Sequence, residues 1–177
     1  MSIHAGGETP FWSRTPPPRP VKFYPILRPK PNVSIKGHIV NPFIEGVGLH
    51  WSPSLERNLA CPGEGCKEDH VKRPPRWYGY LAIMDRGLGK IVLAEITYQA
   101  AKDNPLLDKG QDSLRGLVLT LKRYGNAKRG RVRAEIEPFH RDLGLPPAID
   151  VRKALVHIFG FEPPAMELPQ TEGVNHV

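Results

Sequence analysis

Proline sets the tightest limit on what this chain can fold into. There are 20 prolines and 17 glycines among 177 residues, about a fifth of the sequence. Proline lacks a backbone donor and has a fixed φ, so it stops helices and interrupts ladders. Glycine brings conformational freedom that a regular element must give up. At this density the two exclude a helical bundle or coiled coil and favour short strands joined by turns. Apolar residues make up 40% and charged residues 24%. A packed core is therefore within reach, and wholesale disorder is not expected.

The prolines are unevenly spread. Eight lie in the first 32 residues, Pro16, Pro17 and Pro18 in a row, and six of the first 36 residues are Lys or Arg. Residues 1–32 read as an extended, polyproline-type basic arm. Phe11, Trp12, Phe23 and Tyr24 either pin that arm to a domain or contact a partner.

Beyond the arm the pattern turns to strands. Residues 33–40 alternate apolar and polar, and 43–51 extend them after a break at Pro42. Residues 52–75 are polar and show no period. Two strong strands, 77–84 and 90–96, flank a hairpin turn at Arg86-Gly87-Leu88-Gly89. Thr97 is a candidate N-cap for a short helix through Ala101, stopped near Pro105. Strands at 114–122 and 131–137 follow, joined by the glycine-bounded loop 125–130. Asp150 and Gly160 bracket a helix with Val151, Leu155, Ile158 and Phe159 on one face. The last sixteen residues hold three glutamates, three prolines and no Lys or Arg. The expected organisation is an arm (1–32), a β domain (33–140) with an insertion at 50–75, a helix (141–161) and a dispensable acidic tail (162–177).

Both cysteines fall in the insertion, as Cys61-x4-Cys66-x3-His70. A turn rich in proline and glycine lets two thiolates converge on one ion, and the spacing suits zinc. The pattern points to structural zinc on Cys61, Cys66 and His70, with His50 the first choice for the fourth ligand and His38 the second. Free thiols, a disulfide or simple burial are the competing readings. The scarcity of apolar neighbours argues against burial, and a reducing compartment against a disulfide.

The net charge is +7. Lys122, Arg123, Lys128, Arg129, Arg131 and Arg133 lie within twelve residues that contain no acid, on a hairpin. Such a run can neutralise phosphates, and Tyr124 within it can stack on a base. The plainer reading is a solvated charged hairpin. Lys72, Arg73 and Arg76 precede Trp77, Tyr78, Gly79 and Tyr80. If Leu81, Ile83 and Trp77 point inward, Tyr78 and Tyr80 point out as stacking platforms, unless the arm or the last helix covers them. Trp51 and Trp77 are assigned to the core.

The order strand, strand, strand, helix, strand, strand resembles the OB-fold, a five-stranded Greek-key barrel that binds nucleic acid through its 1–2 and 4–5 loops. With the Cys61/Cys66/His70 cluster and the basic 4–5 hairpin, residues 33–138 are similar to zinc-containing OB-fold single-strand-binding proteins of bacterial or mobile-element type. The resemblance implies a mostly β, OB-like barrel with a zinc insertion and non-catalytic binding of single-stranded nucleic acid, DNA favoured over RNA. An alternative is an adaptor in a nucleoprotein complex, docking protein partners through the arm and tail. A metal-dependent nuclease is a third reading. The metalloprotease and deaminase zinc signatures, the P-loop, the dinucleotide fingerprint and the nucleophile elbow are all absent. No apolar run approaches the ~20 residues that span a bilayer, and no signal-peptide pattern opens the chain. A cytoplasmic location and no membrane partner are expected.

Overall fold

The computed structural model describes residues 22–67, 72–108, 113–125, 130–137 and 144–169. The strands are β1 (Ile26–Leu27), β2 (Ile35–Ile39), β3 (Glu45–Ser52), β4 (Arg57–Ala60), β5 (Arg76–Asp85), β6 (Lys90–Thr97), β7 (Val118–Tyr124) and β8 (Arg131–Glu137). The helices are α1 (Tyr98–Lys102), the single turn α2 (Pro105–Asp108) and α3 (Val151–Phe159). All eight strands belong to one mixed sheet, in the order β1-β6-β5-β2-β7-β8, with β3 paired to β5 and β4 to β3. β1 runs parallel to β6, and every other named pair is antiparallel.

The protein is mostly β, as the sequence indicates, but the sheet is open rather than a closed five-stranded barrel. Among the described residues no ladder joins β6 to β8. Side chains fill the seam instead. Ala94 and Ile96 of β6 share one core with Val132 of β8, and Ala134 and Ile136 pack against it. α1 lies beside this seam, capped by the Thr97 hydroxyl. Just beyond it, Asn104 donates its side-chain N–H to the Ala134 carbonyl at 3.1 Å. Two strands were not expected. β1 forms from the arm, and β4 forms inside the insertion. α1 ends at Lys102, short of Pro105 as expected, and Pro105 then starts α2, where a missing N–H costs nothing.

The sheet is buried on both faces. Leu81, Ile83, Leu119 and Leu121 belong to an inner core. Val47, Leu49, Tyr80 and Leu93 belong to an outer core covered by Val151, Ala154 and Leu155 of α3. Asp150 caps α3 by accepting from the Lys153 N–H at 2.8 Å, and Gly160, with φ 79°, ends it in the left-handed region. Asn41 clamps the approach to the helix, donating to the Ile149 carbonyl at 2.6 Å and accepting from its N–H at 3.3 Å.

This cover corrects the placing of Tyr80 on a stacking surface. Tyr80 is fully buried beneath α3, and Tyr78 is half-buried against the same core. The Tyr80 hydroxyl donates to Glu95 Oε2 at 3.0 Å, while Arg28 Nε donates to Glu95 Oε1 at 2.8 Å. The arm is thereby tied down over Ile26–Pro29, by the pairing of β1 with β6 and a further bond from Arg123 Nε to the Pro29 carbonyl at 2.9 Å. Residues 1–21, including Phe11 and Trp12, lie outside the described residues.

Of the expected tail, residues 170–177 lie outside the described residues. Residues 162–169 lie across β3. Ala165 forms a bridge with Val47, the Met166 N–H donates to the Gly46 carbonyl at 2.9 Å, and Trp77 Nε1 donates to the Met166 carbonyl at 2.8 Å. Met166 and Leu168 pack against the inner core. Gly46 makes this possible, because a Cβ there would collide with the Met166 carbonyl and the Trp77 indole. Among the described residues no helix is long and apolar enough to cross a membrane.

Candidate metal centre and its basic face

Three elements bring the metal-type ligands together. β3 carries His50, which is buried. β4 ends at Ala60 and delivers Cys61, whose N–H donates to the Gly48 carbonyl at 2.9 Å and prolongs the β3–β4 ladder. A turn then returns Cys66, its N–H bonded to the Gly63 carbonyl at 3.3 Å. Gly63 and Gly65 have φ of 75° and 72°, which favours glycine at both corners of that turn.

The donor atoms of His50, Cys61 and Cys66 all lie within 4.8 Å of one another. Cys66 Sγ is 3.5 Å from His50 Nε2. Metal bonds of about 2.0 Å to nitrogen and 2.3 Å to sulfur imply a tetrahedral N–S edge of roughly 3.5 Å, so this pair already stands at coordination spacing. Gly63 N–H donates to Cys61 Sγ at 3.4 Å, a second-layer bond of the kind that orients a thiolate ligand. Burial pushes the Cys61 thiol up and the adjacent Cys66 adds to this, against the opposing effect of the Gly63 bond. The cluster can hold a metal ion through an imidazole and two thiolates. Both cysteines are free thiols rather than a disulfide. His50 is confirmed as a neighbour of the cysteines, while His70 lies outside the described residues. His38 sits elsewhere, on β2 opposite Met84, with Nε2 3.1 Å from Arg86.

Two clefts open beside the cluster, and His50 and Trp51 line both. The first, of about 350 Å³, is bounded by Lys72, Arg73 and Arg76 with Pro53, Pro74 and Pro75. The second, of about 710 Å³, runs between the β3–β4 hairpin, the arm and α3; Phe23, Leu59, Phe159 and Phe161 give it an apolar floor, and Arg28, Arg57 and Lys67 supply its charge. Trp51, assigned to the core from sequence, is instead 55% exposed on the ridge between them. It follows His50 on a strand, so when the imidazole turns in towards the cysteines the indole turns out. Trp77 is core, as expected.

The basic hairpin looks different in three dimensions. Arg131 meets Asp103 at 2.6 Å and Lys122 meets Glu135 at 3.6 Å. Arg123 is turned to Pro29, and the Arg133 guanidinium stacks over the Tyr124 ring at 5.1 Å. The Asp103 carboxyl is held below its usual range by bonds from Gln99 and Arg131. The run lacks acid in sequence only; α1 and β8 supply it in space. Lys128 and Arg129 lie outside the described residues. Lys122, Arg123 and Tyr124 line a separate cleft of about 280 Å³ with Asn32, Val33 and Ser34.

Sequence reasoning named Cys61, Cys66 and His50 as ligands and Lys72, Arg73 and Arg76 as a separate basic stretch, gave Phe23 to the arm and Trp51 to the core, and did not single out Arg57 or Lys67; all of them line the two clefts or the cluster between them. The available signal for Trp51 was its position directly after a candidate ligand on a strand. Comparisons with protein-family models, with curated proteins and with solved structures found no match.

Proposed function

We propose that this protein binds single-stranded nucleic acid without catalysis, on a half-open OB-like sheet, with structural zinc organising the binding face. One observation carries the reading. The two clefts flanking the His50/Cys61/Cys66 cluster are lined by Arg57, Lys67, Lys72, Arg73 and Arg76, with Arg28 already paired to Glu95, and by no Asp or Glu among the described residues. Cations on a reachable surface track phosphates, and exposed aromatics beside them stack on unpaired bases. Zinc suits a donor set of thiolates and imidazole, and it staples an insertion whose own strand, β4, is only half-buried. DNA is the first ligand to test and RNA the second. The adaptor reading draws less support, because the described parts of the arm and tail bond to the chain's own sheet through Arg28, Pro29 and Met166.

Metal analysis and fluorescence anisotropy test this together. Protein purified without added zinc should contain close to one ion per chain, and Cys61→Ser should contain none. Labelled single strands should bind more tightly than duplexes of the same length, with steep salt dependence. Metal-free native protein would remove the zinc, and equal or absent binding of both forms would remove the function.

A further inference from the structure

The two thiols of the metal cluster are held in different ways. Cys61 is 5% exposed, and its N–H continues the β3–β4 ladder onto the Gly48 carbonyl. Cys66 is half-buried and forms part of the wall of the cleft of about 710 Å³. Its N–H reaches back to the Gly63 carbonyl within its own turn, at 3.3 Å. Gly63 and Gly65 in that turn have φ of 75° and 72°. No atom lies within 4 Å of the place a Gly65 Cβ would take, so the corner before Cys66 has room to turn. The two sulfurs lie within 4.8 Å of each other, against the ~2.05 Å of a disulfide bond. A rotation of the Cys66 side chain with its turn covers that difference.

We propose that Cys66 is an oxidation site for hydroperoxides and that Cys61 is its resolving partner, which makes the cluster a reversible thiol switch as well as a metal site. The Cys66 thiolate attacks a peroxide oxygen. The S–O bond forms and the O–O bond breaks; Cys66 becomes a sulfenic acid, and the other half of the peroxide leaves, takes a proton from water and departs as water or an alcohol. The Cys61 thiolate then attacks the sulfenic sulfur. The S–S bond forms, the S–O bond breaks and hydroxide leaves. In all, two electrons pass from the thiol pair to the peroxide. Both metal-binding thiolates are consumed, so the oxidised site cannot hold an ion, and the insertion loses the staple that zinc would give it. The order of events follows from position. A dissolved oxidant meets the thiol that opens on a cleft, and the ladder-bound Cys61 is the fixed point onto which the turn closes. An accessible thiol poised beside a resolving one is the arrangement of redox-sensing cysteines. The inference stands on the geometry of the two thiols and does not depend on nucleic-acid binding.

The test treats the full chain, purified without added metal, with hydrogen peroxide in small molar excess. Free thiols, released zinc and intact mass are followed together. Both thiols should disappear in step, the mass should fall by two hydrogens, bound metal should be released in proportion, and dithiothreitol should restore the thiols. Cys61→Ser and Cys66→Ser, checked for folding by circular dichroism, fix the order. Cys66 in Cys61→Ser should stop at the sulfenic acid and be captured by dimedone several-fold faster than Cys61 in Cys66→Ser. Peptide mapping of the native chain, partly oxidised with dimedone present, gives the order without any variant: the adduct should fall on Cys66. Thiols that survive the peroxide would overturn the proposal. So would oxidation of the two cysteines to sulfinic acids with no disulfide, a bridge between chains instead of within one, or adducts chiefly on Cys61. Thiol counts and masses are read whatever metal the protein carries and whether or not it binds an oligonucleotide, so failure of the zinc or single-strand reading is told apart from failure of this one.

Discussion

Two positively charged regions of this molecule are built on opposite plans. The β7–β8 hairpin concentrates its cations along one stretch of chain, then neutralises them in space with Asp103 and Glu135 and by stacking Arg133 on Tyr124. The face around the metal cluster gathers Arg57, Lys67, Lys72, Arg73 and Arg76 from separate points of the chain, beside an Arg28 already paired with Glu95, and no Asp or Glu is among the described residues that line its clefts. Charge density along a sequence and charge gathered on one face are therefore different quantities. The first region is conspicuous in sequence and internally compensated. The second is scattered in sequence and assembled by β3, β4 and the arm.

The strongest way to break this contrast is to remove what supports the second region. Ending the chain after Phe161 deletes the Met166 main-chain bonds and the packing of Met166 and Leu168. It also strands the buried Trp77 N–H. Chemical denaturation should show a loss of about 2–4 kcal/mol. Hydrogen exchange should quicken in β3 before the β7–β8 hairpin. Unchanged stability would mean that residues 162–169 only rest on the sheet.

A gentler comparison pits cations against cations. Arg57, Lys67 and Arg76 changed together to Ala should lower the magnitude of the slope of log K against log salt by about 2, at roughly 0.7 per phosphate contact. The same treatment of Lys122, Arg123 and Arg131 should lower it by less than half as much. The loss should be similar for all sequences, because phosphate contacts carry no base information. Equal slopes for the two triple variants would erase the distinction drawn here.

The smallest effect belongs to the hairpin's own compensation. Asp103→Asn removes the partner of Arg131 at an exposed site, so stability should fall by only about 0.2–1 kcal/mol. The pH dependence has a definite sign. The folded Asp103 carboxyl lies below its unfolded value of 3.8. Its contribution is present above that value and fades as pH falls through the lowered folded one. Native and variant proteins should therefore converge in acid, and a difference that persists at pH 2 would assign the effect to something other than this pair.

What was legible in the sequence was the chemistry that acts locally. Thr97, Asp150 and Gly160 end helices through their own side-chain or backbone geometry, and each does so where its residue type indicates. The alternating and apolar runs marked five strands to within a few residues. β7 starts late because Leu117 closes a turn onto the Leu114 carbonyl at 3.2 Å. Cys61, Cys66 and His50 were legible because ligand chemistry restricts spacing. Coverage was not legible. Whether Tyr80 faces solvent depends on α3, whose residues lie some seventy positions later, and the ten residues of β5 read alike whether one face or both are buried. Trp51 is the mirror case: an aromatic on a strand is core by habit, yet its outward direction was fixed by the histidine before it. Prolines in 162–169 exclude a helix but not an extended segment bonded through Met166.

The cover that hides Tyr80 also has a bearing on how the protein is made. Synthesis runs from the N-terminus, so β5 and β6 emerge some fifty or more residues before α3. Through that interval Val47, Leu49, Tyr80 and Leu93 lack the cover of Val151, Ala154 and Leu155, and of the chain already made only Tyr24 and Ile26 of the arm lie ahead of the sheet to pack on that flank. Pairings far apart in sequence close slowly, and such surfaces invite misassociation while they wait. The last described segment supplies the final seam, when Met166 reaches Gly46 and Trp77. Folding on the ribosome therefore stays incomplete until that stretch has cleared the exit tunnel, and a stalled chain ending before α3 is the form on which chaperones would act.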